Sequence, residues 1–418
     1  MSLNRRYKLL LLSGGTILGA LCSGASVAQP ISPDDILVFQ RHEVDYNSPV
    51  GIPLGGFLLT TGLSYNAIYD DNIFLKKTNL THDFINVFKP GIALQSNWGR
   101  HEVFVGLEAT KTDYRWNSQK DALDYGGIVS GTYDISYGTF VNGYLKKNQR
   151  NLSRGSEDDV DGSVPIKYNS WASRIGFTRA LSYIQMKAAA FHDNTQRADS
   201  MATAVAGDFL ERDSNGLEGT LTYEYFPKNN LFVTVAHTNI DYNLVGGDSR
   251  IVNKSELKYG MNFSYWDMYS GSLYFGHLRT DYSHIDNASN DPYATFILNW
   301  APEKLTNVSF STGRSYSDGN ISADEKVIID NMKLAVSHQF MDSVTGNIYG
   351  TIADNSYKSL TGAKLRDNRV YGTGVDAQYK VSDHMGLKLG YDYKHRNSDI
   401  ESENYKDNRI LFSVTYMH

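Results

Sequence analysis

The chain has 418 residues and a formal net charge of −6, with 29 Tyr, 18 Phe and 36 Gly against only 9 Pro and one Cys. The mean hydropathy of −0.40 is too polar for a membrane protein built from helices, and the acidic balance disfavours nucleic acid as a partner. A transmembrane β-barrel reconciles the polar average with the many aromatic residues, because only alternate residues of each strand face lipid.

The N-terminus has the features of a Sec-type signal peptide. Arg5, Arg6 and Lys8 precede a short apolar run, which is followed by a small-residue site ending at Ala28. The run is too short to span a membrane as a helix. The predicted division of the chain is a signal peptide at 1–28, a proline-rich periplasmic segment at 29–53 and one barrel domain at 54–418.

A specific stretch follows, DYNSPVGIPLGGFLLTTGLSYNAIYDDNIFLKK. It resembles the opening of the putative β-barrel porin 2 family of outer-membrane proteins, of the exopolysaccharide-export type. The matching positions are Tyr46, Pro49, Gly51, Gly55, Gly56 and Phe57, then the motif Tyr69, Asp70, Asp71, Asn72 and Ile73. The resemblance implies an eighteen-stranded porin that carries polysaccharide outward and is paired with a periplasmic polysaccharide-export lipoprotein. From the residues alone, the motif predicts a turn capped by side-chain hydrogen bonds, with a cation or sugar contact as the alternative.

From Phe57 onward the spacing predicts an all-β fold, a transmembrane antiparallel up-and-down β-barrel of about eighteen strands, with sixteen as the alternative. Nine long connections alternate with eight short ones, as in barrels with short periplasmic turns and longer outer loops. The two longest, 148–165 and 193–212, are predicted gates.

Strand alternation predicts which side chains face the lumen. In the strand from Met385, for example, the apolar residues Leu387 and Leu389 alternate with Lys388. The predicted lumen-lining residues carry both signs of charge and are Arg174, Glu218, Glu224, Glu256, Lys258, Asp376, Lys388, Asp392 and Lys394.

Similar Asp-Tyr endings recur where predicted strands meet long loops. One interpretation places Tyr242, Tyr282 and Tyr393 in an outer aromatic girdle and points Asp241, Asp281 and Asp392 into the mouth. The other holds that Tyr and Asp simply suit strand ends, because Tyr anchors at headgroups and Asp begins turns.

The final segment, NRILFSVTYMH, alternates Ile410, Phe412, Val414 and Tyr416 on one face. It resembles the C-terminal strand of outer-membrane barrels, although His418 stands where an aromatic residue is usual. The resemblance implies insertion by the barrel-assembly machinery.

The sequence contains no complete motif for catalysis or metal binding among those searched. None of GxSxG, HExxH, GxxxxGK or CxxC occurs, so no enzyme activity and no cofactor are expected. Glu157, Asp159 and Asp161 resemble the opening of a calcium loop, but Tyr168 occupies the position of the closing carboxylate. A solvated acidic loop is therefore favoured over a metal site.

The sequence as a whole predicts a porin in the outer membrane of a Gram-negative bacterium, surrounded by lipid. The resemblance implies polysaccharide as the cargo. The alternatives are a small-solute uptake porin and, third, an outer-membrane enzyme.

Overall fold

The computed structural model describes residues 51–151, 167–198, 211–243, 249–283, 287–318 and 325–418. The predicted signal peptide and residues 29–50 of the predicted periplasmic segment lie outside these ranges. Within them no helix is both long and apolar enough to cross a bilayer.

The described chain is almost entirely antiparallel strand, with short 3₁₀ turns at Ser118–Lys120 and Glu401–Glu403. The strands are β1 Ile52–Leu54, β2 Phe57–Asp70, β3 Asp83–Ser96, β4 Glu102–Tyr114, β5 Ala122–Ser136, β6 Thr139–Asn151, β7 Lys167–Ala180, β8 Ile184–Arg197, β9 Arg212–Phe226, β10 Asn229–Asn243, β11 Ser249–Tyr265, β12 Tyr269–Tyr282, β13 Asn287–Glu303, β14 Thr306–Asp318, β15 Glu325–Met341, β16 Val344–Ser359, β17 Lys364–Lys380, β18 Met385–Ser398 and β19 Tyr405–Met417.

Strands β2 to β19 each pair with their neighbours in sequence, and β19 pairs with β2 to close the sheet. The result is a closed barrel of eighteen strands, which confirms the predicted fold class and strand number. The short strand β1 adds a hairpin to β2, so residues 52–53 at the end of the predicted periplasmic segment belong to the sheet.

Successive side chains of each strand point to opposite faces of the barrel. Residues paired directly across an antiparallel ladder share a face. Large apolar side chains are exposed on the outer face, for example Leu257, Ile348 and Phe412. At the end with the short turns, this face carries a ring of exposed aromatic residues that includes Tyr137, Tyr183, Phe226, Trp266 and Phe340. Such a ring is typical of a membrane interface.

Connections at the two ends of the barrel differ, with two-residue turns such as 137–138 at one end and the connections 152–166 and 198–211 at the other. Short turns lie on the periplasmic side of bacterial barrels, so the opposite end is the outer mouth. The predicted alternation of long and short connections is too strict, because β13 begins within the long connection predicted at 283–290, and β16 and β17 both extend into the one predicted at 358–366. The outer connections 283–286 and 360–363 are no longer than the periplasmic turn 97–101.

Strands β13 and β14 form a ladder only over their periplasmic halves. The ladder's outermost pair is Thr295 with Gly313, and no pair is described between these two strands beyond it. There, the hydroxyl of Tyr316 donates a hydrogen bond to the carbonyl of Pro292 at 2.7 Å. On its other side, β14 stays paired with β15 as far as Asp318 and Lys326.

Candidate functional site in the barrel lumen

All nine predicted lumen residues lie on the inner face of the barrel. Strand alternation sets this placement, since eight of them have an exposed apolar or aromatic neighbour on the same strand, and Lys394 shares the face of Lys388 and Asp392 on β18. Glu218 follows the exposed Leu217, and Lys388 precedes the exposed Leu389. Glu224 lies at the periplasmic rim, where its carboxylate accepts a hydrogen bond from the backbone N–H of Lys228 at 3.0 Å.

Several lumen charges neutralise one another. Arg174 forms an ion pair with Glu218 from β7 to β9. Asp376 lies 3.3 Å from the ammonium of Lys388 and accepts a hydrogen bond from Asn347 at 2.8 Å. The wall is hydrophilic, yet these pairs cancel much of the field that would attract small ions of one sign.

Aromatic side chains form a continuous patch on the same wall, here called the lumen aromatic cluster and consisting of Phe232, Tyr274 and Tyr293. The Tyr274 ring lies 6.3 Å from Phe232 and 6.4 Å, edge to face, from Tyr293. The ammonium of Lys258 lies 5.7 Å from the centre of the Tyr274 ring, and the Tyr293 hydroxyl donates to Glu256. Apolar ring faces and polar groups therefore lie side by side.

The cluster depends on a glycine. Gly276 pairs directly with Tyr293, and a Cβ at Gly276 would collide with the Tyr293 ring. The missing side chain thus lets the ring lie flat against the wall.

A second tyrosine site lies on β15 to β18. The hydroxyl of Tyr349 donates to Asp392, and the ammonium of Lys333 lies 5.6 Å from the Tyr349 ring. On β18 and β19, Lys394 approaches the ring of Tyr405 at 5.9 Å. These contacts again combine an aromatic face with a charged group.

The outer mouth contains a buried cluster, here called the mouth clasp, in which Asp318 at the end of β14 meets side chains of β10 to β12. Its carboxylate accepts hydrogen bonds from Tyr242 at 2.8 Å and Lys254 at 2.9 Å, and a longer one from Tyr282. The guanidinium of Arg250 lies over the rings of Tyr242 and Tyr282. Asp318 therefore reaches across from β14 to the inner wall.

The mouth clasp corrects the predicted outer girdle. Tyr242 and Tyr282 are 7% and 6% exposed and face inward, so their assignment to a lipid-facing girdle is wrong. Asp281 does not point into the mouth, since it lies on the opposite face and pairs with the exposed Arg279. On β10 and β12 the Tyr and the Asp do lie on opposite faces, but the two faces are exchanged relative to the prediction, because Tyr242 and Tyr282 share the parity of the inward residues Phe232 and Tyr274.

The family-motif residues hold the first strand to the last. Asn72 is fully buried, and its amide donates to the carbonyls of Lys76 and Lys406 at 2.8 and 2.7 Å. Asp71 accepts hydrogen bonds from the backbone and side-chain nitrogens of Asn408 at 2.8 and 2.7 Å.

The remaining motif residues surround this junction. Asp70 is buried and accepts from the backbone N–H of Asn72, Ile73 packs against Ile85, and Tyr69 is exposed on the outer face. The capped turn predicted from this stretch is present.

Outer connections also contact one another above the junction. Lys77 forms an ion pair with Glu401 between the connections after β2 and after β18. This ammonium holds the pKa of the Glu401 carboxyl below its ordinary value. The calcium-loop candidates Glu157, Asp159 and Asp161 and most of both predicted gate loops lie outside the described residues.

Inward aromatic residues were not assigned individually from the sequence. Phe232 lies between the lipid-facing Leu231 and Val233, and Tyr274 lies between Leu273 and Phe275. A continuous apolar run hides the two-residue period. An aromatic residue at the centre of such a run was the available signal.

The closed barrel, its lipid-facing apolar surface and its polar lumen define a porin-like protein of the Gram-negative outer membrane. The family model described as Putative beta-barrel porin 2 matches residues 46–418, and the chain belongs to that family. No curated protein matches the chain.

The chain also has similarity to solved structures, among them the following three. The OpdK protein of Pseudomonas aeruginosa shows 12% identity and a TM-score of 0.47, covering 86% of this chain and 99% of its own. The siderophore receptor PirA of the same organism shows 9% identity and a TM-score of 0.48, with coverages of 86% and 80%. The FrpB iron transporter of Neisseria meningitidis shows 10% identity and a TM-score of 0.48, covering 80% of this chain, which spans 62% of the transporter's length.

Proposed function

We propose that the barrel conducts a secreted exopolysaccharide across the outer membrane, after Sec-type export of the chain itself. The observation that carries the proposal is the lumen wall, which combines paired charges with the lumen aromatic cluster of Phe232, Tyr274 and Tyr293. Family membership supports it through the resemblance to exopolysaccharide-export porins.

A polysaccharide needs both features. Its hydroxyl groups exchange hydrogen bonds with wall residues through water, which costs little because bridging waters are nearly as favourable as direct contacts. Its sugar rings present C–H faces that pack on aromatic rings. Since ion pairs satisfy charges such as Arg174 and Asp376, an uncharged or weakly charged polymer meets no strong electrostatic barrier.

Transport in this proposal is passive and involves no enzymatic step. The barrel supplies a hydrophilic path, and a periplasmic polysaccharide-export lipoprotein supplies the polymer and its direction. The barrel-assembly machinery inserts the chain. A small-solute uptake porin is the alternative function, and it would share the same wall.

The test is deletion of the gene in its source organism, with secreted and surface polysaccharide compared with a complemented strain and lipopolysaccharide measured as a control. Loss of polymer with precursors still made supports export. Normal polymer together with slower uptake of small solutes refutes export and leaves the uptake porin.

A matched pair of variants addresses the wall itself. Complementation with Tyr274→Ala removes an inward ring, whereas Phe275→Ala removes the lipid-facing ring next to it. Burying roughly 50 Å² of ring face against a sugar is worth about 1.2 kcal/mol, or about sevenfold in affinity. Oligosaccharide block of channel current should therefore weaken about sevenfold in Tyr274→Ala and remain unchanged in Phe275→Ala. Equal effects in the two variants would contradict a role for the lumen aromatic cluster.

A further inference from the structure

Three carboxylates meet where the barrel closes. Asp70 ends β2, Asp71 follows it, and Asp407 lies on the neighbouring strand β19. Each offers an oxygen, and these three oxygens lie within 4.8 Å of one another. Asp70 and Asp407 are each 2% exposed, so this carboxylate trio is largely shielded from water.

The neighbouring cations do not balance the trio. Arg409 lies 2.9 Å from Asp70 and 3.0 Å from Asp407 through its Nε atom. Asp71 is held by Asn408, whose donors are neutral. Ionisation of all three carboxyl groups against this one guanidinium would leave an excess of two negative charges in a largely buried position, which is unfavourable without a further cation.

Two more cations lie nearby but are directed elsewhere. Lys394 pairs across the strand with Asp407, yet its ammonium lies over the ring of Tyr405, as does the guanidinium of Arg396. Neither forms an ion pair with the trio within the described residues.

An independent observation indicates a ligand at this position. The Oδ2 atom of Asp407 contacts Arg409, but its Oδ1 atom is buried and accepts no hydrogen bond. A buried carboxylate oxygen without a donor is costly, and native structures rarely leave one unsatisfied. A metal ion bound to the trio would satisfy it.

We propose that Asp70, Asp71 and Asp407 bind a calcium ion that joins the first and last strands of the barrel at the outer end. Calcium accepts six to eight oxygen ligands in flexible geometry, so it tolerates carboxylates that also accept hydrogen bonds. Magnesium demands near-ideal octahedral geometry and retains its waters, so it fits this crowded junction less well. The bound ion strengthens barrel closure.

The test uses the purified full-length barrel in detergent, stripped with EDTA and titrated with CaCl₂ or MgCl₂ alone. Calorimetry should show a calcium site with weaker magnesium binding, and the melting temperature followed by circular dichroism should rise with calcium. The variant Asp407→Asn should lose both responses. In EDTA it should melt above the wild type, because it relieves repulsion within the trio.

Two control variants separate the trio from other acidic groups. Asp134→Asn alters an Asp at the periplasmic end that pairs with Arg100. Asp159→Asn alters the acidic stretch that resembles a calcium loop. Both should retain the calcium-dependent rise.

An unchanged calcium response in Asp407→Asn overturns the proposal, as does loss of the response in Asp159→Asn alone. If Asp407→Asn does not fold, the wild-type titration and Asp71→Asn decide, and absence of calcium binding to the wild type again overturns it.

Discussion

Removing the Asp318 carboxylate should destabilise the barrel far more than removing an exposed carboxylate that also pairs with a cation. The side chains of Asp318 and Lys254 are only 8% and 12% exposed. Asp318→Ala would leave the Lys254 ammonium buried without its partner, and breaking a buried pair in this way costs about 3–5 kcal/mol. The hydroxyl of Tyr242 would also lose its acceptor.

The matched control is Asp281→Ala. Asp281 pairs with Arg279 at 3.1 Å on the outer face, where the two side chains are 44% and 56% exposed. Exposed ion pairs contribute about 0–1 kcal/mol, so this change should be nearly silent. Both residues lie toward the outer ends of their strands, which leaves burial as the main difference.

The assay is reversible urea unfolding of the refolded barrel in detergent, combined with single-channel conductance in planar bilayers. Asp318→Ala should lower the free energy of unfolding by about 3–5 kcal/mol. It should also raise conductance, because the end of β14 is no longer held across the mouth. An effect on stability no larger than that of Asp281→Ala would refute the reasoning from burial. Unchanged conductance would show that the mouth clasp does not narrow the channel.

Three further changes test the junction, the lipid-facing surface and the lumen wall. Asn72→Ala removes the three side-chain hydrogen bonds of the buried Asn72, each worth about 1 kcal/mol. The temperature at which the folded band disappears in SDS gels should therefore fall. An unchanged temperature would contradict the role of the motif in barrel closure. Ile348→Arg places a charge on the lipid-facing surface and should lower the free energy of unfolding in urea by about 2–4 kcal/mol. Asn347→Arg, on the inner face, should be tolerated. Equal losses in the two variants would contradict the assignment of faces. Gly276→Val should displace the Tyr293 ring, lower the free energy of unfolding by about 1–3 kcal/mol and alter conductance. Gly350→Ala, where an added Cβ has no neighbouring atom within 4 Å, should change neither stability nor conductance.

The barrel was predictable from the sequence because its determinants are local. Alternation with a period of two sets the faces, and turn positions set strand number, so lumen residues such as Lys388 and Glu218 could be placed without a structure. The mouth was not predictable, because the position of Asp318 depends on where β13 and β14 stop pairing. That is a property of two strands and their neighbours together. Tyr242 and Tyr282 were placed on the wrong face for a different reason, since the prediction rested on the likeness of strand endings, whereas alternation from Phe232 and Tyr274 puts both tyrosines on the inner face.

The most specific stretch of the sequence belongs to barrel closure rather than to the channel wall. Pairing β2 with β19 brings together residues as distant as Asp71 and Asn408, and closing so long a loop carries an entropic cost that no local contact offsets. Hydrogen bonds from Asn72 and to Asp71, made with residues of the last strand, offset part of this entropic cost. A match to the family at this motif therefore indicates how the barrel closes. Discrimination among cargoes must depend on the wall, where Tyr274 and Lys258 lie, and variants of the wall are the ones that can separate polysaccharide export from solute uptake.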